Sequence, residues 1–137
     1  MKYRIEKNTV QETLILPLYS RKLCTKLFPR LYQDETAERL IEKIDYDFSQ
    51  AEKNARGLMQ RFGALEVAAR QYDMAWEVRD YLRQHPYATV VNLGCGLDST
   101  GRYCDNGTCR IVNLDFPDII ALRNQLLPAG ERERNIA

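Results

Sequence analysis

The sequence is short of metal ligands. It has one histidine, and of its four cysteines (Cys24, Cys95, Cys104 and Cys109) only the last two are closely spaced. A zinc site wants about four Cys or His ligands in paired short spacings, so no metal centre is expected. Cys104 and Cys109 flank Asp-Asn-Gly-Thr. A disulfide across that turn is disfavoured in a reducing cytosol, and all four cysteines read as small apolar thiols. Neither sign of charge dominates: 20 basic and 19 acidic residues leave a formal charge of +1. That balance gives no general attraction to nucleic acid or to an anionic membrane. Long apolar runs are missing too, since none approaches the ~20 residues that span a bilayer. The first residues, Met-Lys-Tyr-Arg-Ile-Glu-Lys, lack the apolar stretch of a secretory signal. A cytoplasmic protein with no nucleic-acid or membrane partner is expected. There is no internal repeat and no low-complexity segment.

The 137 residues, 45% hydrophobic and 28% charged, suit one modest packed domain. Residues 1–13 are polar and read as a lead-in. Leu14 to Tyr19 form an apolar patch interrupted by Pro17, and Pro29 stops any long helix after it. Arg21, between these prolines, reads as a solvated charge. Asp34 is the expected cap of a helix carrying Ala37, Leu40, Ile41, Ile44 and Phe48 at three-to-four spacing. A second pattern runs from Ser49 to Phe62, weakened or ended by Gly57 and Gly63. A third covers 64–84, with Tyr72, Ala75, Trp76, Tyr81 and Leu82 among its apolar positions. Arg70 lies in this helix and either snorkels beside the apolar face or points into a pocket. Such stripes are more often core packing than a cofactor box.

The most informative stretch is 86–118. His85-Pro86 stops the third helix. Ala88 to Leu93 is then a β-branched run, consistent with a strand covered on both faces. Gly94-Cys95-Gly96 is a turn, a short helix follows near Leu97 to Tyr103, and Asp105-Asn106-Gly107 turns the chain again. Arg110 to Asp115 is a second strand, and Phe116-Pro117-Asp118 opens a helix that closes at Pro128-Ala129-Gly130. The remaining residues, 131–137, read as a mostly charged tail. A strand, a glycine turn and a second strand ending in an acid are the start of a doubly wound α/β sheet, whose ligand pocket forms at the carboxyl edge. Glycines there let the backbone approach a ligand. Asp115 lies 21 residues after Gly94, close to the spacing of an acid that accepts ribose hydroxyls; a plain helix cap is the other reading of Asp115. Position 99 is Ser where a dinucleotide turn needs its third glycine, and no Gly-Lys-Ser/Thr phosphate loop occurs. Asp98 beside the turn would repel a diphosphate. S-adenosylmethionine, an adenosine ligand without phosphates, suits the turn better than a nicotinamide dinucleotide does.

These residues carry a resemblance. Val90 to Ser99 resembles the first motif of the leucine carboxyl methyltransferase family, whose bacterial branch includes tetracenomycin-type polyketide O-methyltransferases. Leu114 to Arg123 is similar to that family's acidic segment, Ala69-Arg70 to its preceding helix, and Leu18 to Arg21 and Ile44 to Phe48 to its N-terminal segments. The resemblance covers about residues 12–137. It implies a class I methyltransferase fold and methyl transfer from S-adenosylmethionine to oxygen, often a carboxylate. It also implies that Gly94 and Gly96 line the methionine part and Asp115 holds the ribose. Arg70 would pair with the cofactor carboxylate, and Arg21 would help close an N-terminal lid. Where the family has Thr-Arg after Leu-Asp, this chain has Ser99-Thr100-Gly101-Arg102, so Arg102 receives no role. Family members run roughly twice as long. On the resemblance, the next strand begins only near Asn135.

The expected organisation is therefore a helical N-terminal lid over 1–85, then the first part of a cofactor-binding domain over 86–137. The fold class is α/β: N-terminal helices followed by the start of a Rossmann-like parallel sheet, an incomplete class I methyltransferase fold. The leading functional expectation is an S-adenosylmethionine-dependent O-methyltransferase, or its N-terminal portion, acting on a small-molecule or carboxylate-bearing substrate. The alternative is a non-catalytic remnant of the fold that dimerises or binds a complementing chain through the exposed sheet edge.

Overall fold

The computed structural model describes residues 2–137. The chain divides into two compact units, 1–70 and 71–137. One helix contributes its first half to the first unit and its second half to the other.

In the first unit, β1 (Tyr3–Arg4) leads through a 3₁₀ turn over Val10–Leu14 into α1 (Ile15–Leu27). Pro17 does not interrupt α1. It sits in the first turn, where backbone N–H groups have no intrahelical partner to lose. The helix stops at Phe28, before Pro29. α2 (Glu35–Lys43) starts where the sequence predicts, with Asp34 Oδ1 accepting the Ala37 N–H at 2.8 Å. It ends earlier than its apolar stripe. Ile44–Asp45 form β2, which pairs in parallel with β1 at Tyr3↔Ile44 and Arg4↔Asp45. Residues 3–4 are thus part of a small sheet rather than of a loose lead-in. α3 (Ser49–Asn54) is short. α4 (Leu58–Gln84) then runs unbroken through Gly63, which the sequence reading treats as a boundary. The core of this unit joins Ile15, Leu18, Leu23 and Cys24 of α1 to Ala37, Leu40 and Ile41 of α2, with Ile5 and Ile44 from the small sheet.

In the second unit the later half of α4 buries Ala75 and Leu82 but leaves Tyr72, Trp76 and Tyr81 more than half exposed. The aromatic positions expected on its apolar side therefore face solvent, and the small residues pack. β3 (Thr89–Leu93), α5 (Thr100–Cys104), β4 (Arg110–Leu114) and α6 (Pro117–Leu126) follow, with Pro117 at the first turn of α6. β5 (Glu133–Ile136) completes a three-stranded parallel sheet in the order β3-β4-β5. This strand occupies what reads in the sequence as a charged tail. Glu-Arg-Asn-Ile has no apolar alternation to announce it. It is held instead by the ladder to β4 and by ion pairs at its start: Arg102–Glu133 at 2.8 Å and Asp105–Arg132 at 2.6 Å.

The sheet is covered on one face. Ile111 packs with Ala75, Leu82, Cys104 and Cys109, and with Val90 of β3. Gly101 of α5 lies so close to β4 that a Cβ there would stand 2.7 Å from Ile111 Cγ2. Alternate residues point to the other face. There Val91 and Leu93 are 51% and 76% exposed. β3, expected to be covered on both faces, is covered on one only.

Candidate functional site

The carboxyl ends of β3 and β4 meet at the glycine turn. Gly94 (φ 62°) and Gly96 (φ 47°) both take the left-handed conformation that a Cβ disfavours. A Cβ at Gly94 would meet nothing within 4 Å. Glycine is there for its backbone conformation and for open space, not for close packing against the protein. The Cys95 N–H donates to the Leu114 carbonyl at 3.1 Å, tying the turn to the end of β4. The Gly96 N–H donates to Asp115 Oδ2 at 2.8 Å, and the Phe116 N–H donates to Asp115 Oδ1 at 2.8 Å. Each carboxylate oxygen keeps a further lone pair. The structure thus brings Gly94, Gly96 and Asp115 together as one unit, and Asp115 does hold the entry to α6 as well.

The turn is built from below by two charged residues to which the sequence reading gave no such task. Asp98 Oδ1 accepts from Gln71 Nε2 and Thr100 Oγ1, both at 2.8 Å, and Oδ2 accepts from Asn92 Nδ2 at 3.2 Å. This carboxylate knits the middle of α4, β3 and the start of α5 to one another. Arg123, 1% exposed, donates from Nη1 to the Gly96 carbonyl at 2.8 Å and to the Asp98 carbonyl at 2.7 Å. Its Nε donates to Asn135 Oδ1 at 3.1 Å, and Asn113 Nδ2 donates to the same oxygen at 3.0 Å. A signal for Arg123 is present in the sequence. It falls on the stripe of Ile120 and Leu127, so a charge sits where the helix pattern calls for an apolar residue.

Burial pushes the Cys95 thiol up to about 11, with Asp115 and Asp98 adding to the effect against Arg123. A neutral thiol there is no nucleophile at physiological pH. Burial pushes Cys104 up to about 11 as well, and all four cysteines are buried free thiols. Burial alone would raise Glu133, but Arg102 and the Gly130 N–H outweigh it and hold its carboxyl below the ordinary value. Arg102 thereby has a place: it fastens α5 to the start of β5 and donates to the Pro128 carbonyl.

Arg21 and Arg70 belong to the first unit. Arg21 is not a solvated charge. It is 5% exposed and pairs with Asp34 at 3.2 Å. Asp34 also accepts from the Tyr32 hydroxyl at 3.2 Å. Arg70 is exposed on α4. A cavity of about 560 Å³ in this unit is lined by residues 4–7 and 45–47 and includes neither of these two arginines. No helix among the described residues is long and apolar enough to cross a membrane.

The sequence matches the family model for leucine carboxyl methyltransferase over residues 18–135. It is 36% identical over 128 residues to the tetracenomycin polyketide synthesis O-methyltransferase TcmP of Streptomyces glaucescens, a match covering 93% of this chain and 45% of that protein. It is 27% identical to the S-adenosyl-L-methionine-dependent methyltransferase dpfgK of Gibberella zeae, covering 96% of this chain and 46% of that one. The chain spans about half the length of these curated relatives. No solved structure matches. The parallel β3-β4-β5 sheet with its preceding helices is a partial class I methyltransferase fold. The family match over most of the sequence and the glycine turn joined to its strand-end acid lead to one conclusion: the chain belongs to the leucine carboxyl methyltransferase family.

Proposed function

We propose that this chain is the cofactor-binding portion of an S-adenosylmethionine-dependent O-methyltransferase, working in the cytoplasm on a small-molecule acceptor that offers an oxygen, such as a carboxylate. The observation that carries the reading is the 2.8 Å hydrogen bond from the Gly96 N–H to Asp115 Oδ2. It makes the glycine turn and the acid of the next strand a single preformed element. The residues present fit the cofactor. The space above Gly94 is open, and Asp115 has lone pairs left for two ribose hydroxyls. Arg70 would pair with the cofactor carboxylate, and Arg21, through α1, would steady a lid. The cofactor supplies an activated methyl group on a sulfonium. Its transfer to an acceptor oxygen needs positioning more than acid–base help, and a carboxylate acceptor requires no general base.

The relatives' greater length bears on the partner. The uncovered face carrying Val91 and Leu93, with the outer edge of β3, is where the remaining strands and helices of such a fold would dock, supplied by the same polypeptide or by a complementing chain. The same surface supports a second reading, a non-catalytic module that uses this edge to bind a partner or a second copy.

Calorimetry with S-adenosylhomocysteine separates them. Micromolar binding that weakens by about tenfold or more in Asp115→Ala, the loss of a charged acceptor, is expected on the first reading. No binding by the wild-type chain, with a concentration-dependent dimer in sedimentation, would favour the second.

A further inference from the structure

Arg123 is buried without a carboxylate within salt-bridge distance among the described residues; its guanidinium donates from Nη1 to two main-chain carbonyls and from Nε to one amide oxygen. Enclosing a guanidinium this way is costly unless its donors are well used. Both carbonyls belong to the glycine turn, those of Gly96 and Asp98. Gly96 is therefore held from two sides. Its N–H is bound to Asp115 and its C=O to Arg123. The third contact runs to Asn135 on β5, whose Oδ1 also accepts from Asn113, its register partner on β4. A rigid, forked donor is needed for this. Lysine offers a compact point charge on a flexible stem, not a planar fork.

We propose that Arg123 is the positioning residue of the glycine turn, fixing the Gly96 and Asp98 peptides against the sheet so that Gly94 to Gly96 and Asp115 keep the geometry that receives the ligand. This rests on the reading of the turn as the cofactor site. Asn135 and Asn113 orient Arg123 in turn, so β5 contributes to the pocket without touching it.

The test uses the full chain, wild type and Arg123→Lys, with two readouts. Amide hydrogen exchange needs no ligand. The Gly96 and Asp98 amides are expected to exchange about tenfold faster in the variant, while those of Ile111 and Val112 on β4 stay within about twofold of wild type. Calorimetry with S-adenosylhomocysteine is expected to show an affinity lower by about tenfold or more, as befits lost hydrogen bonds to a charged group, with a melting temperature within about 5 °C of wild type. Unchanged exchange at Gly96 and Asp98 overturns the proposal. So does acceleration spread evenly over β4, which would make Arg123 a general support of the fold. If Arg123→Lys does not fold, Asn135→Ala takes its place. Of the three Arg123 contacts it removes only that of Nε, along with the Asn113 and Asn124 side-chain bonds of Asn135, and should speed the same two amides by about threefold; no change there overturns the proposal equally. If the wild-type chain does not bind S-adenosylhomocysteine, the cofactor reading fails by itself, and the exchange data still decide whether Arg123 holds the turn.

Discussion

The two units each bury one arginine, and they neutralise it differently. In the first unit Arg21 of α1 meets the Asp34 carboxylate at the start of α2, so two side chains and two opposite charges are enclosed together. In the second, Arg123 of α6 meets the carbonyls of Gly96 and Asp98 and the side chain of Asn135. The first arrangement joins two helices and can be removed as a pair. The second cannot, because its main acceptors are peptide groups that remain whatever side chains are changed. A charge answered by a side chain belongs to packing, and one answered by the backbone sets the shape of a loop.

Removing Asp34 should have the largest effect and would break the comparison if it did not. Asp34→Ala leaves the Arg21 guanidinium without its buried carboxylate and takes the cap from α2. A loss of about 3–5 kcal/mol is expected in urea unfolding. Arg21→Met combined with Asp34→Asn removes both charges and keeps a capping oxygen, so it should lose clearly less than Asp34→Ala alone. If the double variant were the worse of the two, Arg21 would be held by more than charge.

Next in size is Gly101→Ala, which probes the second unit without touching its arginine. The new methyl would stand 2.7 Å from Cγ2 of Ile111, itself 1% exposed and unable to give way. A loss of about 1–3 kcal/mol is expected by the same measurement. In an Ile111→Leu background, which moves the branch off Cβ, the added cost of Gly101→Ala should shrink, and the double-mutant cycle reads that coupling directly.

Much of both units can be read from sequence because the signals are local. The apolar run of β3, the Asp-Asn-Gly turn, the Phe-Pro-Asp start of α6 and the Asp34 cap each act within a few residues. What sequence hides depends on distant partners. β5 is built from Glu-Arg-Asn-Ile, and the ion pairs that anchor its start reach back to Arg102 and Asp105. β1 and β2 are two residues each and are recognisable only once paired. Gly94, Gly96 and Asp115 are legible as a motif, whereas Arg123 beneath them shows only as a charge on an apolar stripe, and its task appears once its acceptors are known. Gly101 shows the same limit. It appears in sequence as a departure from the family pattern, and its contact with Ile111 gives that departure a packing reason.

The smallest effect compares two helical glycines directly. Gly101 in α5 is pressed against a neighbour, whereas Gly63, inside the first-unit half of α4, has nothing within 4 Å of the Cβ it lacks and no positive φ to require glycine. Alanine there adds no clash, favours the helix and restricts the unfolded chain. Gly63→Ala should therefore raise stability by about 0.5–1 kcal/mol, seen as a higher urea midpoint with an unchanged slope. A loss instead would mean that this turn of α4 needs the backbone freedom that glycine gives it.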